Sequence, residues 1–161
     1  MRVEHVYGVA PRELLDVLTD ETFLAARSAR FGGSGVPTAR KAGPGVVVTV
    51  PRQLPVAAVP GPFRSMVGDG QLVQIDTWTE VSDGRATGTW TTDVGGAPLD
   101  LHGTHEIVAT DDGCRYVVTA EVKVRIRFIG AQVEGLIRQQ LADLVSREQG
   151  FSAAWLAGVE R

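Results

Sequence analysis

Apolar and polar residues trade places along this chain in two rhythms, one of period two and one of three to four. From Arg2 to Val9 the odd positions Val3, His5, Tyr7 and Val9 share one side, which predicts a strand. Pro11 then suits the first position of a helix whose apolar side is Leu14, Leu15 and Leu18. Asp20 and Glu21 favour the amino end of a second short helix that buries Phe23 and Leu24, and the glycines of "FGGSG" at 31–35 end it. Alternation returns at Thr38, with strands predicted at 38–42, 45–54, 71–81, 85–94, 99–109 and 114–127. The turns between them include Asp69-Gly70, Asp83-Gly84 and Asp112-Gly113, pairs that accept the positive backbone angles of tight hairpins. The rhythm changes once more after "VKVRIRF" at 122–128. From about 131 to 158 the residues Val133, Leu136, Ile137, Leu141, Leu144, Phe151 and Trp155 recur at helical spacing as one apolar stripe. Gly130 is expected to end the strand and free the chain to fold back, and Gly150 to bend or interrupt the helix.

Strand, two short helices, six strands and a long helix make an α+β chain with an antiparallel sheet of about seven strands, connected mainly as a meander. A long antiparallel sheet with one buried face twists and curls, so its concave side needs a cover. The final helix is the element able to supply it. Val118, Ala120 and Val122 share the face it would meet, and Leu136 and Leu144 sit on the stripe that would meet them. Ala86, Gly88 and Gly103 on the inward side leave room, so either the helix sinks into the sheet or a ligand-sized space remains. Trp78, Trp90, Phe128, Phe151 and Trp155 are the side chains that could fill that space instead.

Composition narrows the classes. A chain of 161 residues, 43% hydrophobic and 22% charged, fits one domain spanning 1–161. It has no apolar run long enough for a signal peptide or a membrane span, so a cytoplasmic protein is expected. One cysteine, Cys114, excludes an internal disulfide framework and lacks a sequence context that would activate it. The formal charge of −3 gives no pull toward nucleic acid, and the arginine-rich basic set reads as base composition rather than a phosphate-binding device. His102 and His105 differ in parity along one strand, which argues against a shared metal. "FGGSG" follows a helix rather than a strand, so nucleotide binding lacks its context and no cofactor is expected. Lys123, Arg125 and Arg127 form an outward basic row, read as a solvated surface.

The candidate chemistry is sparse. His5 and Tyr7 face inward as a proton donor and acceptor pair, or more simply as a satisfied core histidine and a packed tyrosine. Arg52 shares parity with Val48 and Val50 and could hold a ligand carboxylate, or pair with Asp76 or Glu80. Strand 71–81 is polar and apolar on both faces, so parity leaves open whether Trp78 and Asp76 point in or out. The stretch 54–68, with three prolines, could be a lid or a fixed plug, with Phe63 and Met66 covering the mouth of a pocket.

The order of elements, with "VYGVAPRELLDVLTD" at 6–20, "KVRIRFIGAQVEGLI" at 123–137 and "VPRQLPVAAVPGPFR" at 50–64, resembles the START-like superfamily (SRPBCC). This is the polyketide cyclase or birch-pollen-allergen-like helix-grip fold, and the sequence looks most like an uncharacterised bacterial branch common in actinobacteria. The resemblance implies a curled sheet around a long carboxyl-terminal helix, and the carriage of a small apolar molecule of lipid, fatty acid, polyketide or isoprenoid type. A cyclase or dehydratase and a closed-core protein interaction module stay open as alternatives. No protein partner can be named.

Overall fold

The computed structural model describes residues 1–53, 64 and 68–159. The stretch read as a lid or plug, with Phe63 and Met66, lies largely outside the described residues. The chain opens with strand β1 (Arg2–Tyr7), helix α1 (Pro11–Leu18) and helix α2 (Glu21–Arg30). Strands β2 (Thr38–Ala42), β3 (Gly45–Gln53), β4 (Gln71–Trp78), β5 (Arg85–Asp93), β6 (Leu99–Thr110) and β7 (Gly113–Val124) follow, and α3 (Gly130–Leu156) ends the fold. One antiparallel sheet contains all seven strands in the order β1-β7-β6-β5-β4-β3-β2. The meander is therefore complete from β2 to β7, and β1 closes onto β7 at the far edge.

Local chemistry accounts for the start of each short helix. Pro11 occupies the first turn of α1, where its missing N–H costs nothing, and the Asp20 carboxylate accepts a 2.9 Å hydrogen bond from the Phe23 N–H at the start of α2. Leu14, Leu24 and Phe23 are fully buried and form one cluster with Val48, Val50 and Ile107 from the sheet. At Gly103 a β-carbon would stand 1.9 Å from the Thr119 carbonyl oxygen. Trp90 lies against this bare stretch of backbone and donates its indole N–H to that oxygen at 3.0 Å.

The departures from the expectation that bear on the site lie in β4, β7 and α3. β4 stops at Trp78 rather than 81, and β7 at Val124 rather than 127. Gly130 does not release the strand; it is already the first residue of α3. The reversal is made by residues 125–129, where Phe128 takes a positive φ of 71° and is 98% exposed, so its ring does not fill the core. α3 continues without interruption through Gly150, which faces open space.

Candidate functional site

α3 packs in two ways along its length. Its carboxyl-terminal end is solid: Phe151 is buried, with its ring centroid 5.8 Å from Phe23 and 5.6 Å from Phe31, and Trp155 meets Phe23 edge-on at 5.5 Å. Its amino-terminal half stands off the sheet. Between the two lies a cavity of about 660 Å³, walled by Leu101, Val118 and Trp90 from the sheet and by Val133, Leu136 and Leu144 from the helix. Leu136 keeps 42% of its surface and Leu144 is half-buried, because they border this space instead of interlocking with the strands.

A continuous line of polar side chains crosses the cavity wall from α3 to β7. Glu148 accepts from Arg52 at 2.8 Å, and the Arg52 Nε–H donates to the Gln74 side-chain oxygen at 2.9 Å. Gln74 in turn donates to Asp76 Oδ1 at 2.7 Å. Asp76 Oδ1 stands 3.5 Å from His105 Nε2, and His105 Nδ1 is 2.9 Å from the Tyr116 hydroxyl. Each strand member comes from the inward parity of its strand, which is why five strand residues and one helix residue meet.

Burial and the neighbouring charges together set the protonation of this line. Burial alone would raise the Asp76 carboxyl, but the pull of His105, helped by Gln74 and Arg27, outweighs it and holds the carboxyl below its ordinary value. The buried Tyr116 phenol is pushed well above the usual tyrosine value by desolvation, with the Asp76 charge adding to it. Either the Tyr116 hydroxyl or the His105 Nδ1 donates in the bond between them, according to the tautomer of the ring, and the other ring nitrogen, Nε2, faces Asp76. That Nε2 has no aligned hydrogen-bond partner although His105 is only 6% exposed. Trp78 stacks on the same imidazole at 4.7 Å.

Of the residues singled out from sequence, Arg52, Trp78, Trp90, Val118, Leu136 and Leu144 line the cavity. Trp78 points inward and brings Asp76 with it, which settles the orientation of β4. Ala120 and Val122 are buried on the expected face but are not part of the wall, and Val48 and Val50 pack into the core beside Leu14 and Leu24. Tyr7 also sits outside the wall: its buried hydroxyl donates to the Gln149 carbonyl of α3 at 3.0 Å, and desolvation raises its pKa. His5 is half-buried with its ring 4.8 Å from that of Tyr7. Arg52 meets Glu148, not Asp76 or Glu80.

His105, Tyr116, Gln74, Glu148 and Arg27 line the cavity without having been singled out as ligand contacts. Alternation through Gly103, His105 and Ile107 carries the signal for His105. Cys114 is fully buried, and burial raises its thiol pKa. Among the described residues no group of three metal-ligating side chains occurs, and no helix is long and apolar enough to cross a membrane.

A curled seven-stranded antiparallel sheet gripping a long carboxyl-terminal helix is the START-like helix-grip fold. The crystal structure of a Thermus thermophilus protein, TTHA0849, shares it with a TM-score of 0.62 at 12% identity, over 98% of this chain and 97% of that one. The di-domain ARO/CYC StfQ from the steffimycin biosynthetic pathway aligns with a TM-score of 0.63 at 7% identity, over 96% of this chain and 49% of that one. Human STARD10 aligns with a TM-score of 0.58 at 13% identity, over 94% of this chain and 61% of that one. Residues 2–156 match the family described as "Protein of unknown function (DUF2505)", and the chain belongs to that family. Uncharacterized proteins of Mycobacterium tuberculosis and Mycobacterium bovis are 35% identical over 91 residues, 55% of this chain and 52% of each relative. The chain thus spans about half the length of the curated relatives it matches.

Proposed function

We propose that this protein binds one small, mainly apolar molecule between the sheet and the amino-terminal half of α3. The observation that carries this reading is the cavity itself, about 660 Å³ with largely apolar walls. Ligand pockets run from about 300 to 1,000 Å³, whereas well-packed interiors hold few voids larger than a water. The fold it shares with an ARO/CYC protein of a biosynthetic pathway supports the same reading. Val118, Trp90, Trp78, Leu136 and Leu144 would contact the apolar body, and Arg52 would act through the polar line. Phe63 and Met66 keep their place as candidate covers of the mouth. The interior location of the site suits a carrier more readily than an interaction module.

Native mass spectrometry of the purified protein, with extraction of any bound species, tests the proposal directly. Titration with a neutral apolar dye such as Nile red supplies the binding curve. Val118→Phe, which puts its added ring into the cavity, should weaken dye binding by about tenfold, or 1.4 kcal/mol. Thr119 has the opposite parity and its hydroxyl meets Thr104 at 2.7 Å on the outer face, so Thr119→Val should bind like wild type. A wild type with no bound species and no saturable dye binding would overturn the proposal.

A second reading, proton transfer to or from the bound molecule, is favoured by the unpartnered Nε2 of His105 beside Asp76. Turnover of an acyl or polyketide-like substrate that disappears in folded His105→Gln would put catalysis first.

A further inference from the structure

Two buried arginines line the cavity, and they are in different states. Arg52 is occupied by Glu148, Gln74 and the Phe31 carbonyl. Arg27 of α2 is 8% exposed, yet among the described residues no carboxylate, carbonyl or hydroxyl pairs with it. The contact it does make is with the face of a ring: its guanidinium carbon lies 5.6 Å from the centroid of the fully buried Phe23. That contact steadies the plane of the guanidinium and leaves its in-plane N–H donors uncommitted. A guanidinium stays charged at any physiological pH, and no Arg27 nitrogen is among the buried polar atoms that lack a partner, so its donors keep access to the open space of the cavity it lines. Asp76 responds to this charge from a distance, since Arg27 contributes to holding its carboxyl ionised without forming an ion pair. The surrounding charge points the same way. Four arginines and three carboxylates line the cavity, one positive charge in excess, inside a chain whose formal net charge is −3.

We propose that Arg27 binds the anionic head of the cavity's ligand, so that the ligand is an amphiphile with a carboxylate at one end and an apolar body against Leu101, Val118 and Leu144. This rests on the ligand-binding reading above and specifies its chemical class. The carboxylate-binding role that the sequence suggests for Arg52 moves to Arg27, because the Arg52 fork is already filled. A planar guanidinium with two parallel donors matches a carboxylate in bidentate fashion.

Dodecanoic acid, its methyl ester and dodecanol share an apolar tail and differ at the head, so calorimetric titration of all three at neutral pH separates the two terms. The wild type should bind the acid about tenfold or more tightly than either neutral compound. Arg27→Gln should abolish that preference and leave the ester and alcohol within about twofold of wild type. Arg40→Gln, at an exposed position of β2 outside the cavity wall, should keep the preference. Equal affinity for the three compounds in the wild type, or a preference that survives Arg27→Gln, overturns the proposal while leaving the cavity-binding reading in place. A preference lost in Arg40→Gln overturns the assignment to Arg27. Absence of saturable binding for all three overturns both. If Arg27→Gln does not fold, Arg27→Lys, which keeps the charge and loses the bidentate fork, should still lower the preference for the acid, and an unchanged preference overturns the assignment.

Discussion

Asp76 shows how one buried carboxylate ties stability to acidity. Its folded pKa is depressed, so the unfolded chain, with a carboxyl near the ordinary value of about 3.9, binds the proton first. The stabilisation from Asp76 is therefore complete above that value and is lost as pH falls through the folded pKa. Asp76→Asn should remove this part of the acid sensitivity, which urea unfolding of both proteins between about pH 5 and 2.5 will show as a flatter loss of stability in the variant. Parallel curves would mean that Asp76 is not held by His105 and Gln74. From sequence this residue was undecidable, because β4 carries Leu72, Gln74, Asp76 and Trp78 on one side and Val73 and Ile75 on the other. The structure gives the polar side to the interior and leaves Val73 and Ile75 more than a third exposed. Alternation identifies two faces, but only the pairing of Asp76 with Val48 and Trp90 in the neighbouring strands fixes which is inward. Arg27 was harder still. Which side of a short helix such as α2 meets the cavity depends on how it docks, and no local period encodes that.

At the scale of elements the sequence was more legible. Pro11, Asp20 and the Asp-Gly turns act within a few residues, so the starts of α1 and α2 and the strand order follow from local rules. The reversal between β7 and α3 did not, since it depends on Phe128 accepting a left-handed backbone that glycine would normally supply. The two halves of α3 also looked alike as an apolar stripe, although one packs solidly and the other borders a cavity. Their energetics should differ accordingly. Phe151→Ala leaves a hole among Phe23, Phe31 and Trp155 and should cost about 3 to 5 kcal/mol. Leu144→Ala removes a half-buried side chain beside an existing space and should cost only about 1 kcal/mol. Chemical denaturation of the two variants compares them; equal losses would mean that both halves of the helix are packed alike.

Taken as a whole, the molecule is a sheet that curls around a helix, solid around Phe23 and Phe151 and hollow where α3 spans the concave face with one side of α2 at its rim. The distribution of its three tryptophans follows this division. Trp78 and Trp90 line the hollow, whereas Trp155 belongs to the aromatic cluster with Phe23 and Phe151. The protein therefore carries its own optical gauge. An apolar guest beside Trp78 and Trp90 should shift their emission to shorter wavelength, and Trp155→Phe should leave that response intact. Combined replacement of Trp78 and Trp90 by Phe should silence it. A shift that depends on Trp155 instead would place the guest outside the hollow, so the intrinsic fluorescence of the unlabelled chain can follow both whether something enters and where it comes to rest.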